Sequence, residues 1–295
     1  MGVSLSEKVL VCSLKLSLWR AVITDKNVTK ETNDRYQAIQ SAGTYRKRLM
    51  HEQLKDVNTA FRDVGQFHKE HTLPWSVGKS EGILLVDHYQ KYRDGLAEKI
   101  QTALDKVEDF IQSYTDHVYQ AEQDLGEMFN SSEYPQASEI RDYFKIESNA
   151  YPVPDPKDWR IALSDEEVEE LRAKFEANLQ AKLSSSMENL WQRLYEPIKK
   201  MAETLSQEDK IFKKSLVENI IDVIALLPAL NITNDPKLES LRKEIEQRLC
   251  SHSPEILRTN NHARQDTATA AREIADKMSV FVAPIDDIDT EKWAA

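Results

Sequence analysis

Residues 96–128 read LAEKIQTALDKVEDFIQSYTDHVYQAEQDLGEM. Leu96, Ile100, Ala103, Val107, Ile111, Tyr114, Val118, Ala121, Leu125 and Met128 recur at steps of three and four. That spacing lays one apolar stripe along a helix, as a heptad seam with one inserted four-residue step. It predicts a helix over about 83–129. Upstream, Tyr36, Ile39, Gly43, Leu54, Val57, Phe61, Val64 and His68 predict a second helix over about 29–71. That helix stops before Leu73-Pro74, since the residue ahead of a proline is pushed out of the helical region. At 1.5 Å per residue each helix would span roughly 60 Å. A turn-rich stretch from Pro74 to Gly82 joins them, so the simplest packing is a long antiparallel hairpin that projects as a coiled coil.

Outside the hairpin the pattern changes. Leu10, Cys12, Leu14, Leu16 and Leu18 alternate with polar residues and predict a half-buried strand. Val280-Phe281-Val282 is a second β-like run, stopped by Pro284, and pairing of the two would bring the ends together. Pro152, Pro154 and Pro156 alternate and favour an extended connector. Ser164-Asp165-Glu166-Glu167 is a capping box that opens a helix striped by Val168, Leu171, Phe175, Leu179, Leu183, Met187, Leu190 and Leu194. Pro197 should kink or end it. Asp235-Pro236 and Ser253-Pro254 each pair an N-cap with proline at the first helical position. The fold class is therefore mainly α, with a minor β element from short strands at the two ends. Its parts are an N-terminal strand over 1–28, the hairpin over 29–130, a proline-rich connector over 131–163, a helical region over 164–284 that ends in a short strand, and an acidic tail over 285–295.

Only 7 of the 295 residues are glycine. Barrels, sandwiches and glycine-lined phosphate loops need more backbone at positive φ than that supplies. The net charge is −11, spread unevenly: +5 over residues 1–80, −9 over 81–150 and −7 over the remainder. A dipolar chain of this kind fits head-to-tail self-association or a partner that meets one end, and the homo-oligomer is the expectation. Nucleic acid remains a partner class that the net charge disfavours. Cys12 and Cys250 lack metal or redox spacing and read as reduced thiols. No apolar run is long enough for a membrane span, so no membrane partner is expected and the chain reads as soluble and cytoplasmic.

Two charged patches are candidate partner-binding surfaces. Tyr45-Arg46-Lys47-Arg48 is basic with an aromatic beside it. Arg46, Lys47 and Arg48 would grip a nucleic-acid backbone or an acidic partner, or form a solvated face that complements the acidic second helix. Glu108, Asp109 and Asp116 lie off the apolar stripe of that helix, among Asp105, Glu122, Asp124 and Glu127. A rod with regular negative charge can occupy a DNA-binding channel; the alternative is a solubilising face. His68-Lys69-Glu70-His71 puts two histidines at i, i+3, where they could share a metal, but no third ligand cluster lies nearby in sequence. A helix-end position, favourable against the dipole, accounts for them as well. No catalytic, cofactor-binding or metal-binding residue is assigned, no cofactor is expected, and the chain reads as a non-enzyme.

Five segments taken together resemble a known family: SEKVLVCSLKLSLWRA (6–21), YPQASEIRDYFKIE (134–147), YPVPDPKDWR (151–160), RLYEPIKKMAETL (193–205) and LLPALNITNDPKLESLRKEI (226–245). The family is an uncharacterised helical one of phage, prophage and bacterial proteins, catalogued as a domain of unknown function. Its genes often lie near a MoxR-type AAA+ ATPase and a von Willebrand A-type protein. The resemblance implies a protein partner, either an AAA+ ATPase or a host DNA-processing or defence complex, and no functional residue is carried over from it. The leading expectation is a phage or prophage interaction or scaffold protein working with a larger machine. Two other classes stay open: an acidic inhibitor of a host nuclease or defence enzyme, and a single-stranded DNA-binding protein.

Overall fold

The computed structural model describes residues 5–76, 80–154, 165–207 and 210–282. The chain is mainly α-helical, with a four-stranded sheet and a two-stranded sheet. It divides into two compact units, each built from separate stretches. Unit one holds residues 1–12, 69–90 and 150–295; unit two holds 13–68 and 91–149.

Unit one is organised by a long helix, α6 in the chain order that starts with α1 (Leu5–Lys8), and spans Asp165–Leu205. Leu190, Leu194, Ile198, Met201 and Leu205 fall at three- and four-residue steps and are fully buried. They pack against α10 (Asn261–Met278), whose facing residues include Ala268, Ala271, Ile274, Ala275 and Met278. Alanines there let the two backbones approach. Of the kink or end expected at Pro197, the end does not occur, and the helix runs through it. A proline inside a helix costs about 3 kcal/mol, less than the sum over the buried apolar side chains on both sides of it, each worth roughly 1.5–3 kcal/mol. Around this pair sit α7 (Ser215–Leu230), α8 (Pro236–Leu249) and α9 (Pro254–Thr259). The expected caps are formed: Asp235 accepts from Lys237 N at 2.8 Å and Ser253 from Ile256 N at 3.4 Å.

The larger sheet has the order β4-β5-β1-β6, with β1 Val9–Ser17, β4 Leu73–Pro74, β5 Glu81–Leu85 and β6 Lys145–Pro152. β4 and β5 are antiparallel, with Leu73 opposite Ile83 and Pro74 opposite Gly82. A Cβ on Gly82 would lie 2.1 Å from Thr72 Oγ1, so only glycine allows this approach.

Unit two differs from the hairpin expectation. The span 29–71 contains two helices, α2 (Lys26–Arg35) and α3 (Lys55–His71), with strand β3 (Arg46–Arg48) between them. β3 pairs antiparallel with β2 (Val22–Thr24). The interruption has a local cause. Asn33 is buried, and its side-chain amide donates to the carbonyls of Gln40 at 3.1 Å and Gly43 at 3.2 Å, which folds the chain back on α2. The span 83–129 opens as strand β5 and continues as α4 (Val86–Gln112) and α5 (Tyr114–Leu125), broken at Ser113. Among the described residues there is no single pair of long helices forming a coiled coil. α3 and α4 do meet, where Phe67 stacks on Tyr92 with ring centroids 6.1 Å apart and lies over Gly95.

Two further differences concern the C-terminal end and the connector. Val280 and Phe281 lie in a 3₁₀ turn over Ser279–Phe281, so among the described residues no C-terminal strand pairs with β1; its neighbours are β5 and β6. Part of the connector is strand β6, and Tyr134, Ile140 and Phe144 just before it are buried. The cap at Ser164, Pro156 and the tail over 285–295 lie outside the described residues. No described helix is long and apolar enough to cross a membrane.

His68 is buried inside unit two, with Nδ1 2.6 Å from the Tyr92 hydroxyl. Burial pushes its pKa down from 6.5 to about 4. The unfolded chain therefore binds a proton that the fold refuses between those two values, and stability falls as pH drops through this window. The shift is worth roughly 3 kcal/mol at full development. Urea midpoints measured from pH 7 to pH 4 should fall more steeply for the native chain than for His68→Gln; parallel curves would contradict this.

Candidate functional site

The last carbonyls of a helix lack partners inside it. At the end of α6 they meet Arg264, which projects from the first turn of α10 and is only 6% exposed. Its Nε donates to Leu205 O at 3.1 Å, and Nη2 donates to Gln207 O at 2.6 Å and Lys210 O at 2.8 Å, with a longer contact of 3.4 Å to Thr204 O. All four acceptors are neutral carbonyls. The cation also opposes the negative end of the α6 dipole.

That clamp shapes the segment leading to α7. The Phe212 ring lies against two guanidinium groups, with Arg264 5.5 Å and Arg258 5.2 Å from its centroid. Arg258 also donates to Phe212 O at 3.0 Å. α7 then begins at Ser215 with Lys214 at the cap position and no side-chain cap. Between the end of α6, this segment and the first turns of α7 is a cavity of about 230 Å³. Pro197, Phe212 and Leu216 line it with apolar atoms, together with the exposed Ile211; Lys200, Lys210 and Lys213 are its basic lining residues, and Thr204, Ser215 and Asn219 its neutral polar ones. None of the three lysines forms an ion pair among the described residues, whereas the neighbouring Lys214 pairs with Glu218 at 3.1 Å. Three lysines thus line one cavity of a chain with net charge −11; Glu208 and Asp209, which precede Lys210 in sequence, lie outside the described residues.

The basic patch read from the sequence is divided by the strand. Arg46 and Arg48 are exposed on one face of β3, while Lys47 points inward and is 2% exposed. Its ammonium is 3.3 Å from Asp25 and 2.7 Å from Glu133, and it donates to Met128 O at 2.9 Å. Lys47 is therefore corrected from a surface contact to an internal tie between β3, the start of α2 and the segment after α5. Three adjacent cations do not meet one partner here.

Glu108, Asp109 and Asp116 stand on the outer side of α4 and α5, opposite the buried residues Ala103, Val107, Phe110, Tyr114 and Ala121. Glu108 is paired with Arg141, and Asp109 with Lys106 at 3.1 Å. Asp116 is exposed and has no ion pair among the described residues. Among the described residues no group of three potential metal ligands includes His68 or His71, and His68 Nδ1 lies 2.6 Å from the Tyr92 hydroxyl.

The cavity was missed by pattern reading, though part of its signal is local. Residues 210–214 read KIFKK, a denser basic–aromatic run than it looks, because its lysines flank one buried aromatic. What no local pattern reveals is Arg264, more than fifty residues later, turning that run around α6. No family model, curated protein or solved structure matches the chain.

Replacing Arg264 with Ala should strand several buried carbonyls at once and lower unfolding free energy by about 3 kcal/mol. Arg272, which is exposed and donates to Ser206 Oγ at 2.9 Å, should lose little on the same change. Urea denaturation of the two variants checks this; equal losses would mean that the clamp does not organise the α6–α7 segment.

Proposed function

We propose that this chain is a non-enzymatic interaction protein whose outer α4–α5 face receives a basic surface of a protein partner. The observation that carries the reading is an acidic field with an aromatic residue displayed inside it. Residues 107–128 contain Glu108, Asp109, Asp116, Glu122, Asp124 and Glu127 and no lysine or arginine. Tyr119 sits among them, 65% exposed. Asp116, Tyr119 and Glu122 follow at three-residue steps, and Asp116, Gln120 and Asp124 at four-residue steps, so both rows share one broad face.

The physical logic separates two tasks. Unpaired carboxylates steer an oppositely charged surface and set register, and they act mainly on the association rate. An exposed tyrosine offers large contact area with two rotatable bonds to immobilise, which is the usual chemistry of an interface anchor. The family resemblance would make the partner an AAA+ ATPase or a DNA-processing assembly. A basic nucleic-acid channel occupied by the same face is the inhibitor form of this reading.

The test is capture of partner on immobilised full-length chain from a bacterial lysate, followed by direct binding of the recovered protein. Asp116→Lys with Glu122→Lys should slow association at least tenfold and remove its salt dependence. Tyr119→Ala should accelerate dissociation, and Arg46→Ala with Arg48→Ala should change neither. A partner that binds all three variants equally would contradict the assignment of this face.

A further inference from the structure

We propose that the lysine-lined cavity between the end of α6 and the start of α7 binds the phosphoryl group of a small phosphorylated ligand. This site is separate from the acidic face of α4–α5 and does not depend on it. The argument rests on the cavity's own lining. Lys200 lines it from the last turns of α6, and Lys210 and Lys213 from the segment that connects α6 to α7. Among the described residues no carboxylate pairs with any of them.

Charge and size then select the ligand class. Lysines act on phosphate as compact point charges, without the planar fork that arginine offers to a carboxylate. Three of them around one space balance a dianion or a more highly charged group, while a single carboxylate would leave most of the positive charge unmet. Phosphoryl groups also take several hydrogen bonds, for which Thr204, Ser215 and Asn219 are at hand. The positive end of the α7 dipole adds to the same field. A cavity of about 230 Å³ lies below the ~300 Å³ at which pockets begin to enclose drug-sized ligands. It therefore takes a phosphoryl end and the few atoms next to it, with Phe212, Ile211 and Pro197 against the less polar part.

The site is also held in shape before any ligand arrives. Lys210 O is one of the carbonyls fixed by Arg264, and Phe212 lies between the cavity and two guanidinium groups. Binding then costs little ordering of the segment that carries two of the three lysines.

Isothermal titration of the full-length chain with pyrophosphate tests the proposal, with O-phosphoserine and glutamate as further probes. One pyrophosphate should bind per chain, more weakly as salt is added. O-Phosphoserine should bind at the same place, and glutamate at least tenfold more weakly than either. The variant Lys200→Ala/Lys210→Ala/Lys213→Ala, all at exposed positions, should lose at least tenfold in affinity. The control Arg46→Ala/Arg48→Ala should bind as the native chain does. No binding to the native chain, equal loss in both variants, or a preference for glutamate would each overturn it.

Discussion

Much of unit one depends on a cation placed where a helix ends. Burying a guanidinium is expensive unless its donors are all met. Arg264 Nε and Nη2 donate to carbonyls at the end of α6 and just beyond it, which are themselves without partners inside the helix. Each group thus lowers the penalty of the other. Because the acceptors are Thr204 and Leu205 in the last turn of α6 and Gln207 and Lys210 beyond it, the guanidinium ties the end of the helix to both of those residues. Phe212 is placed by the same cation and by Arg258. The start of α7 and the lysines around it follow from these contacts.

Unit two uses the same device with the signs rearranged. Lys47 is an inward cation on a short strand, and its partners are two carboxylates and a carbonyl from three separate segments. Asp25 caps α2 through the amides of Asn27 and Val28 and meets Lys47 as well. Those contacts, the bond to Val28 first, hold its carboxyl below the ordinary carboxylate range. Beside the apolar core around Phe61, Phe110 and Phe144, such a tie specifies which segments meet. Arg193 does similar work in unit one, donating to Lys69 O at 2.8 Å and Thr72 O at 2.9 Å, at the end of α3 and just beyond it.

The helical class was legible because it is written in periodicity, and so were the caps at Asp235 and Ser253, which are local. The strand at residues 9–17 was legible from its alternation. The fine architecture was not, because it is decided by residues whose partners are distant in sequence. The stripe from Tyr36 to His68 looks continuous, yet Asn33 binds the carbonyls of Gln40 and Gly43, and Tyr36 and Ile39 are left exposed. Of the two outcomes expected at Pro197, a kink or an end, the second does not occur, because the burial of Leu194, Ile198 and Met201 on both sides is a tertiary fact. Lys47 was read with its neighbours as a surface patch because strand alternation over three residues is too short to detect. At the candidate site, KIFKK was visible but its framing by Arg264 and Arg258 was not.

The two charged features have opposite sign and different form: an open acidic face that displays Tyr119, and a partly open, lysine-lined cavity backed by Phe212. The first suits a protein surface, the second a compact anion. On the proposal above, the Arg264 clamp presents the segment around Lys210 and Lys213 as a formed anion site. Hydrogen–deuterium exchange with and without pyrophosphate reads that state residue by residue. Exchange at residues 210–219 should be slow in the free chain relative to exposed loops, with added protection on pyrophosphate confined to that stretch and the end of α6. Fast exchange there, or protection centred on β3 with Arg46 and Arg48, would contradict it.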